Sequence, residues 1–248
     1  MDQHRLQELA DRSYSGGNFT FTDFLSVAEL AAYFEMEREL QYASPTLFGG
    51  SELAERQMIR FGNPEEIGYD HPFPIAALLI RPLIEKFSDD LTHRDFLGAL
   101  MNLGIRRELL GDIFVKDNCA CVFCKDSIAD FIISELTRIK HTSVKVSPAD
   151  EELVSRITAP ILEDKMIQVS SCRIDAVIAK TYNLSRSDAL ALFPAGLVYR
   201  NGLVCTENAR ELAAGDVVSV RGYGKFQFSG DRSVSKKGKL NCVVRIYR

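Results

Sequence analysis

The chain predicts an α+β protein in three regions: a helical N-terminal segment, a βαββαβ middle region, and a C-terminal unit of two short helices on a small sheet. Three observations carry that prediction. In "DFLSVAELAAYFEMEREL" the apolar residues Phe24, Leu25, Ala28, Ala31, Ala32 and Met36 recur at helical spacing. From Pro74 onward, strand-type and helix-type runs alternate in one repeating order. The charge is also divided: residues 170–248 carry 13 Lys and Arg against 6 Asp and Glu, a balance of +7, whereas residues 1–169 carry 17 against 28, a balance of −11.

Residues 1–65 read as helical, with Asp23 near the start of the long helix and Ser51 as a cap for a further helix over "ELAERQMIRF". The stretch "GNPEEIGYDHPFP" is rich in turn formers, and Pro72 and Pro74 prevent a helix from continuing through it, so it reads as a linker. Residues 72–150 then give strand "IAALLIR", helix "HRDFLGALMNLG" capped by Thr92 and stopped by Gly104, strand "DIFVK", strand "CACVFCK", helix "IADFIISELTRI" and strand "SVKVSP". This βαββαβ succession is the ferredoxin-like order, the plan used by RRM domains. Residues 151–169 read as a second linker, leading into a C-terminal domain over 170–248.

Several motifs in the middle region do not carry the chemistry they suggest. His93-Arg94-Asp95 matches the start of a kinase catalytic loop, but Leu100 stands where that loop needs Asn, and no glycine-rich loop or DFG accompanies it. Asp95 is more simply the capping-box partner of Thr92. Cys119, Cys121 and Cys124 offer three ligand atoms with no fourth at structural-zinc spacing, so no metal is expected. "CACVFCK" has only Phe123 where an RRM strand carries several aromatics, which argues against ordinary base stacking there. The four histidines form no ligand pair, and neither a G-x-S-x-G nor a Walker sequence is present. No catalytic residue and no cofactor is expected.

With 248 residues, 46% hydrophobic and 26% charged, the chain has the composition of an ordinary globular protein. Its apolar runs fall short of the roughly 20 residues of a membrane span, and "MDQHRLQELADR" lacks the apolar core of a signal peptide. A cytoplasmic protein with six reduced cysteines and no membrane partner is the expectation.

The C-terminal region is the most informative. "SCRIDAVIAKTY" reads as a helix with Ile174, Val177 and Ile178 inward, followed by a second helix capped by Ser185 and stopped by Pro194 and Gly196. Arg186 falls in the first turn of that second helix, where the macrodipole disfavours a cation. A phosphate bound by the helix start, two hydroxyls and the guanidinium would remove the conflict; a solvated arginine beside an ordinary serine cap is the alternative. "GLVYRNGLVC" reads as a hairpin turning at Asn201-Gly202, and "GDVVSVRGYGKFQF" and "LNCVVRIYR" add strands. A basic module on an acidic body points to nucleic acid as the partner of the former.

Arg173-Ile174-Asp175, Ser185-Arg186-Ser187, Gly196-Leu197-Val198 and Asn201-Gly202 together resemble the pattern of the S4 RNA-binding domain. With "GGSELAERQM", "HRDFLGALMNLGIRRELLGDIFV", "SSCRIDAVIAKTYNLSRS", "GDVVSVRGYGKF" and "SKKGKL", the chain is similar to the bacterial YlmH family along most of its length. That resemblance implies a helical N-terminus, an RRM-like middle domain and a C-terminal S4 domain. It further implies a translation-associated, RNA-binding protein that engages the large ribosomal subunit carrying peptidyl-tRNA, in the rescue of stalled ribosomes, encoded near cell-division genes. The partners are then structured RNA, both rRNA and tRNA, and the large subunit, with the protein a monomer. S4 domains place RNA on the face formed by the two helices and the hairpin, which assigns Arg173, Ser185, Arg186, Ser187 and Asn201 to RNA contact. Arg221 and Lys225 of the "GDVVSVRGYGKF" stretch join them as candidates.

Two positions depart from the S4 pattern. Asp188 replaces a basic or amide residue, and Arg200 replaces an inward Val, so Arg200 either turns outward as an added RNA contact or alters the hairpin edge. Two function classes stay open: a binding module that grips structured RNA, and an accessory or catalytic RNA-modification protein like the pseudouridine synthases that carry an S4 domain. About 100 residues of βαββαβ leave no room for the catalytic domain of such a synthase, which favours binding.

Overall fold

A computed structural model describes residues 3–159, 162–235 and 238–247, a mixed α+β protein that divides into compact units at 159/160. None of the described helices is long and apolar enough to cross a membrane.

In the first unit, helices α1 (Gln3–Gly16) and α2 (Val27–Leu40) pack on one face of a three-stranded antiparallel sheet of β1 (Thr20–Phe21), β2 (Thr46–Phe48) and β3 (Met58–Phe61), ordered β1-β3-β2. The N-cap of α2 is Ser26, closed with Glu29 into a capping box, rather than Asp23, whose carboxylate pairs with Lys125 at 2.7 Å. The helix expected from Ser51 is not formed, because β3 is buried on both faces. Ile59 and Phe61 enter the core under α1 and α2, while Met58 enters a separate cluster with Phe24, Cys121 and Phe123. A strand covered on both sides has no polar alternation, so its short apolar run is easily read as helix. A one-turn helix, α3 (Pro64–Ile67), follows.

The middle region contains the six elements read from its sequence, in the order β4 (Ile75–Pro82), α4 (His93–Asn102), β5 (Leu110–Lys116), β6 (Cys119–Lys125), α5 (Ala129–Glu135) and β8 (Thr142–Pro148), but the second helix stops at Glu135, and Arg138–Ile139, read as its last residues, form a two-residue strand β7 paired with β8. The sheet is antiparallel and ordered β5-β6-β4-β8-β7. Leu78, Ile80, Ala120, Val122, Val144 and Val146 face α4 and α5. Thr92 and Asp95 form the expected capping box.

Residues 151–169 are not a linker. Asp150 caps α6 (Glu151–Thr158), whose Val154 and Ile157 pack against the opposite face of the middle sheet, and β9 (Leu162–Val169) is the edge strand of the C-terminal sheet. Both segments are half-solvated and rich in charge, so each shows only two inward apolar residues. A weak period of that kind reads as a polar connection.

The second unit holds a six-stranded antiparallel sheet, ordered β11-β10-β12-β13-β14-β9, from β9, β10 (Val198–Arg200), β11 (Leu203–Val204), β12 (Val217–Val220), β13 (Gly224–Val234) and β14 (Leu240–Tyr247). Helices α7 (Ile174–Tyr182) and α8 (Arg186–Ala191) cover it, placing Ile174, Val177, Ile178 and Ala189, with Phe193 of the turn that follows, in one core with Val218, Phe226, Phe228 and Val244. The hairpin β10–β11 turns at Asn201 and Gly202 with φ of 51° and 83°, both in the left-handed region a type I′ turn requires.

Candidate nucleic-acid interface

The two helices of the C-terminal unit begin near one another around a buried carboxylate. Asp175, in the first turn of α7, has a fully buried side chain. Arg173, the N-cap residue of α7, donates from Nε to its Oδ1 at 3.1 Å and from Nη2 to its Oδ2 at 3.2 Å. Arg186, the first residue of α8, brings Nη2 to 3.9 Å from the same Oδ2 while its side chain stays 72% exposed. Two guanidiniums therefore share one carboxylate, leaving a net positive charge with one of its carriers open to solvent. The bidentate grip fixes the plane of Arg173, and Asp175 offsets the unfavourable placement of Arg186 at a helix start.

The helix starts are satisfied from within. At α7 the N–H of Ile174 donates to the carbonyl of Arg210 at 2.9 Å and the N–H of Asp175 to that of Asn208 at 3.3 Å. At α8 the Ser185 hydroxyl accepts from the Asp188 N–H at 3.1 Å and donates to Asp188 Oδ2 at 2.6 Å, with the Ser187 hydroxyl 2.8 Å away. The phosphate cradle expected from those N–H groups and hydroxyls thus already contains the Asp188 carboxylate, the anion the dipole favours. Arg186 reaches outward without the helix start as its co-ligand.

Arg200 turns to a carboxylate at the edge of the hairpin. Its guanidinium donates to Asp216 Oδ2 through a short bond, with the side chain only 16% exposed. Asn201 donates to Asp216 Oδ1 at 2.9 Å and accepts from the Val217 N–H at 2.8 Å, and the Ala213 N–H also donates to Asp216 at 2.7 Å. Burial raises the Asp216 carboxyl, but Arg200, Asn201 and the Ala213 amide outweigh it and hold it below the ordinary aspartate range. This network braces the hairpin and occupies the polar ends of both residues. Arg221, on the exposed loop after β12, lays its guanidinium 5.0 Å over the Tyr199 ring, and Lys225 sits 5.3 Å over Tyr247. Of the two carboxylates that organise this unit, Asp175 was legible from Arg-x-Asp at a helix start, whereas Asp216 pairs with Arg200 and Asn201 across 16 and 15 residues and has no local signal.

The middle sheet presents no aromatic platform. Phe123 is 1% exposed, packed with Phe24 and Met58, and Gly50 lies so close that a Cβ there would meet the ring at 2.2 Å. Of the three cysteines on β6, Cys121 faces this cluster and Cys124 the opposite core, so their sulfurs diverge. Burial pushes the thiols up to about 11 and about 12. No group of three or more metal-ligating side chains occurs among the described residues.

Residues 71–152 match a family model described as "Putative RNA-binding domain in YlmH". The chain is 31% identical over 195 residues to "Ribosome-associated protein quality control protein P2" of Bacillus subtilis (strain 168), covering 77% of this chain and 73% of that protein. A solved structure, "Cell division protein ylmH from Streptococcus pneumoniae", is similar over 59% of this chain and 88% of its own, at 20% identity and a TM-score of 0.45.

Proposed function

The chain belongs to the YlmH family, and from that premise we propose that it is an RNA-binding protein of translation that acts on ribosomes in quality control. In this reading the C-terminal unit is an S4 domain gripping structured rRNA and tRNA on the large subunit, the middle region is an RRM-like domain, and the protein works as a cytoplasmic monomer without catalysing a reaction. The observation that carries the reading is the pair Arg173 and Arg186 around buried Asp175, at the junction of two helices in a unit of positive balance. A guanidinium oriented by a buried carboxylate and left open to solvent suits a phosphate, and shape and phosphate contacts are how folded RNA is gripped. Arg221 and Lys225 are proposed as flanking contacts. Arg200 and Asn201 would act by shaping the hairpin, since their polar ends are engaged by Asp216 and Val217.

The test is co-sedimentation of the full chain with purified large ribosomal subunits across a salt series. About four neutralised phosphates give a slope of log K against log salt of about −3 to −4. A flat response, or absence from the large-subunit fractions at low salt, contradicts the reading.

A further inference from the structure

The first unit is acidic overall, with 16 Lys and Arg against 26 Asp and Glu in residues 1–159. One edge of its middle sheet runs against that trend. Lys116 stands opposite Cys119 in the β5–β6 register, Ile80 opposite Ala120 places Arg81 beside Cys119, and Arg81 stands opposite Lys145. The three cations thus form one transverse row on the sheet face that looks away from α4 and α5. At about 4.8 Å between strands the row spans roughly 14 Å. Arg81, Lys116 and Lys145 have no carboxylate at ion-pair distance among the described residues, and Lys116 Nζ donates to the Arg156 carbonyl at 3.3 Å, bringing the end of α6 to the row.

The loop that leaves β4 at the same edge displays a ring to solvent. Phe87 is 77% exposed, with Lys86 Nζ 5.7 Å over it, and Leu83 and Ile84 are exposed beside it. The loop is held in place: the Leu83 N–H donates to the Ser143 carbonyl at 2.9 Å, and Asn118, in the turn between Lys116 and Cys119, donates to Ser88 Oγ and the Asp89 carbonyl at 2.7 Å each and accepts from the Leu91 N–H. An exposed aromatic on a pinned loop is displayed at little ordering cost. Glu85 and Asp117 lie near Cys119 and reduce, without cancelling, the local excess of cations.

We propose that this edge is a second RNA contact, in which Lys116, Arg81 and Lys145 take two or three consecutive phosphates of a single-stranded stretch and Phe87 stacks an unpaired base. It rests on the RNA-binding reading above and places the middle domain's contact at the rim of the sheet instead of on its closed central face. Cations that track a backbone beside an aromatic that stacks a base are the general means of holding single strands.

The test measures anisotropy of a labelled 12-nucleotide oligouridine with the full chain at low salt, in parallel with a labelled RNA hairpin. Arg81→Glu with Lys145→Glu is expected to weaken oligouridine binding about thirtyfold and to flatten the salt slope by about 1.4. Phe87→Ala should weaken it about tenfold with the slope unchanged. All three residues are exposed, so the melting temperature should hold; if the charge reversal melts early, Arg81→Gln with Lys145→Gln carries the same test. Native affinity in both variants overturns the proposal, as does oligouridine binding that is lost in Arg186→Glu and kept in the rim variants. A native chain that binds the hairpin and not oligouridine also overturns it and leaves the functional reading intact. If neither probe binds, both fall.

Discussion

Asp216→Ala is expected to destabilise the C-terminal unit by about 3 kcal/mol, the range for removing one partner of a buried ion pair. The substitution strands the Arg200 guanidinium at 16% exposure, releases the Asn201 amide and leaves the Ala213 N–H without its acceptor. The folded Asp216 carboxyl is held below its ordinary value, so its contribution is complete at neutral pH and is lost as pH falls from the ordinary aspartate range through the folded value. Urea unfolding of the full chain, followed by amide exchange in residues 198–220, measures the loss. A change under about 1 kcal/mol would show that the network does not brace the hairpin.

Gly50→Ala should cost the first unit a comparable amount, about 3 kcal/mol. Gly50 has φ of 96°, a conformation that disfavours any Cβ, and the added carbon would sit 2.2 Å from Phe123 Cδ1. Phe123 has little room to retreat, because it is clustered with Phe24 and Met58, and the Gly111 backbone lies so close that even a Cβ added there would sit 3.0 Å from Phe123 Cβ and 2.8 Å from Phe24 Cε1. Thermal melting with exchange readout on β6 measures it; an unchanged melting temperature would mean that this face of the sheet has slack and can open. The result bears on the proposed rim contact, which assumes that the central face of the sheet is closed.

The elements of the middle region were legible from their order, their caps and the turns between them. β8 alternates cleanly, Thr92 with Asp95 marks the start of α4, and β6, although buried on both faces, is a seven-residue apolar run that turn formers set apart from β5. The helix pair and the Asn201-Gly202 turn were legible for the same local reasons. β3 was not, because burial on both faces erases its alternation, and α6 and β9 were not, because two inward residues each make too weak a signal. At the candidate site the sequence singled out Arg173, Ser185, Arg186, Ser187 and Asn201 as a set. It could not distinguish the arginine that reaches solvent from the arginine that braces a turn: Arg186 and Arg200 differ in the distance to a carboxylate, and for Arg200 that carboxylate, Asp216, lies 16 residues away. Asp188 read as a departure from the S4 pattern, and its bond to Ser185 shows a physical reason for its presence, the cap of α8.

The most direct test of the proposed interface is the affinity of Arg186→Glu for purified large ribosomal subunits, compared with Arg38→Glu. Arg38 is exposed at the end of α2 in the other unit and undergoes the same change of charge. Arg186 is 72% exposed and 3.9 Å from its nearest carboxylate, so the melting temperature should stay nearly constant. Affinity should fall by about 1 to 3 kcal/mol for Arg186→Glu, through loss of a charge-assisted phosphate bond, and hardly at all for Arg38→Glu. Equal losses in the two variants would mean that bulk charge alone governs association, and unfolding of Arg186→Glu would mean that the arginine serves the fold; either result contradicts the assignment of the α7–α8 junction as the RNA contact.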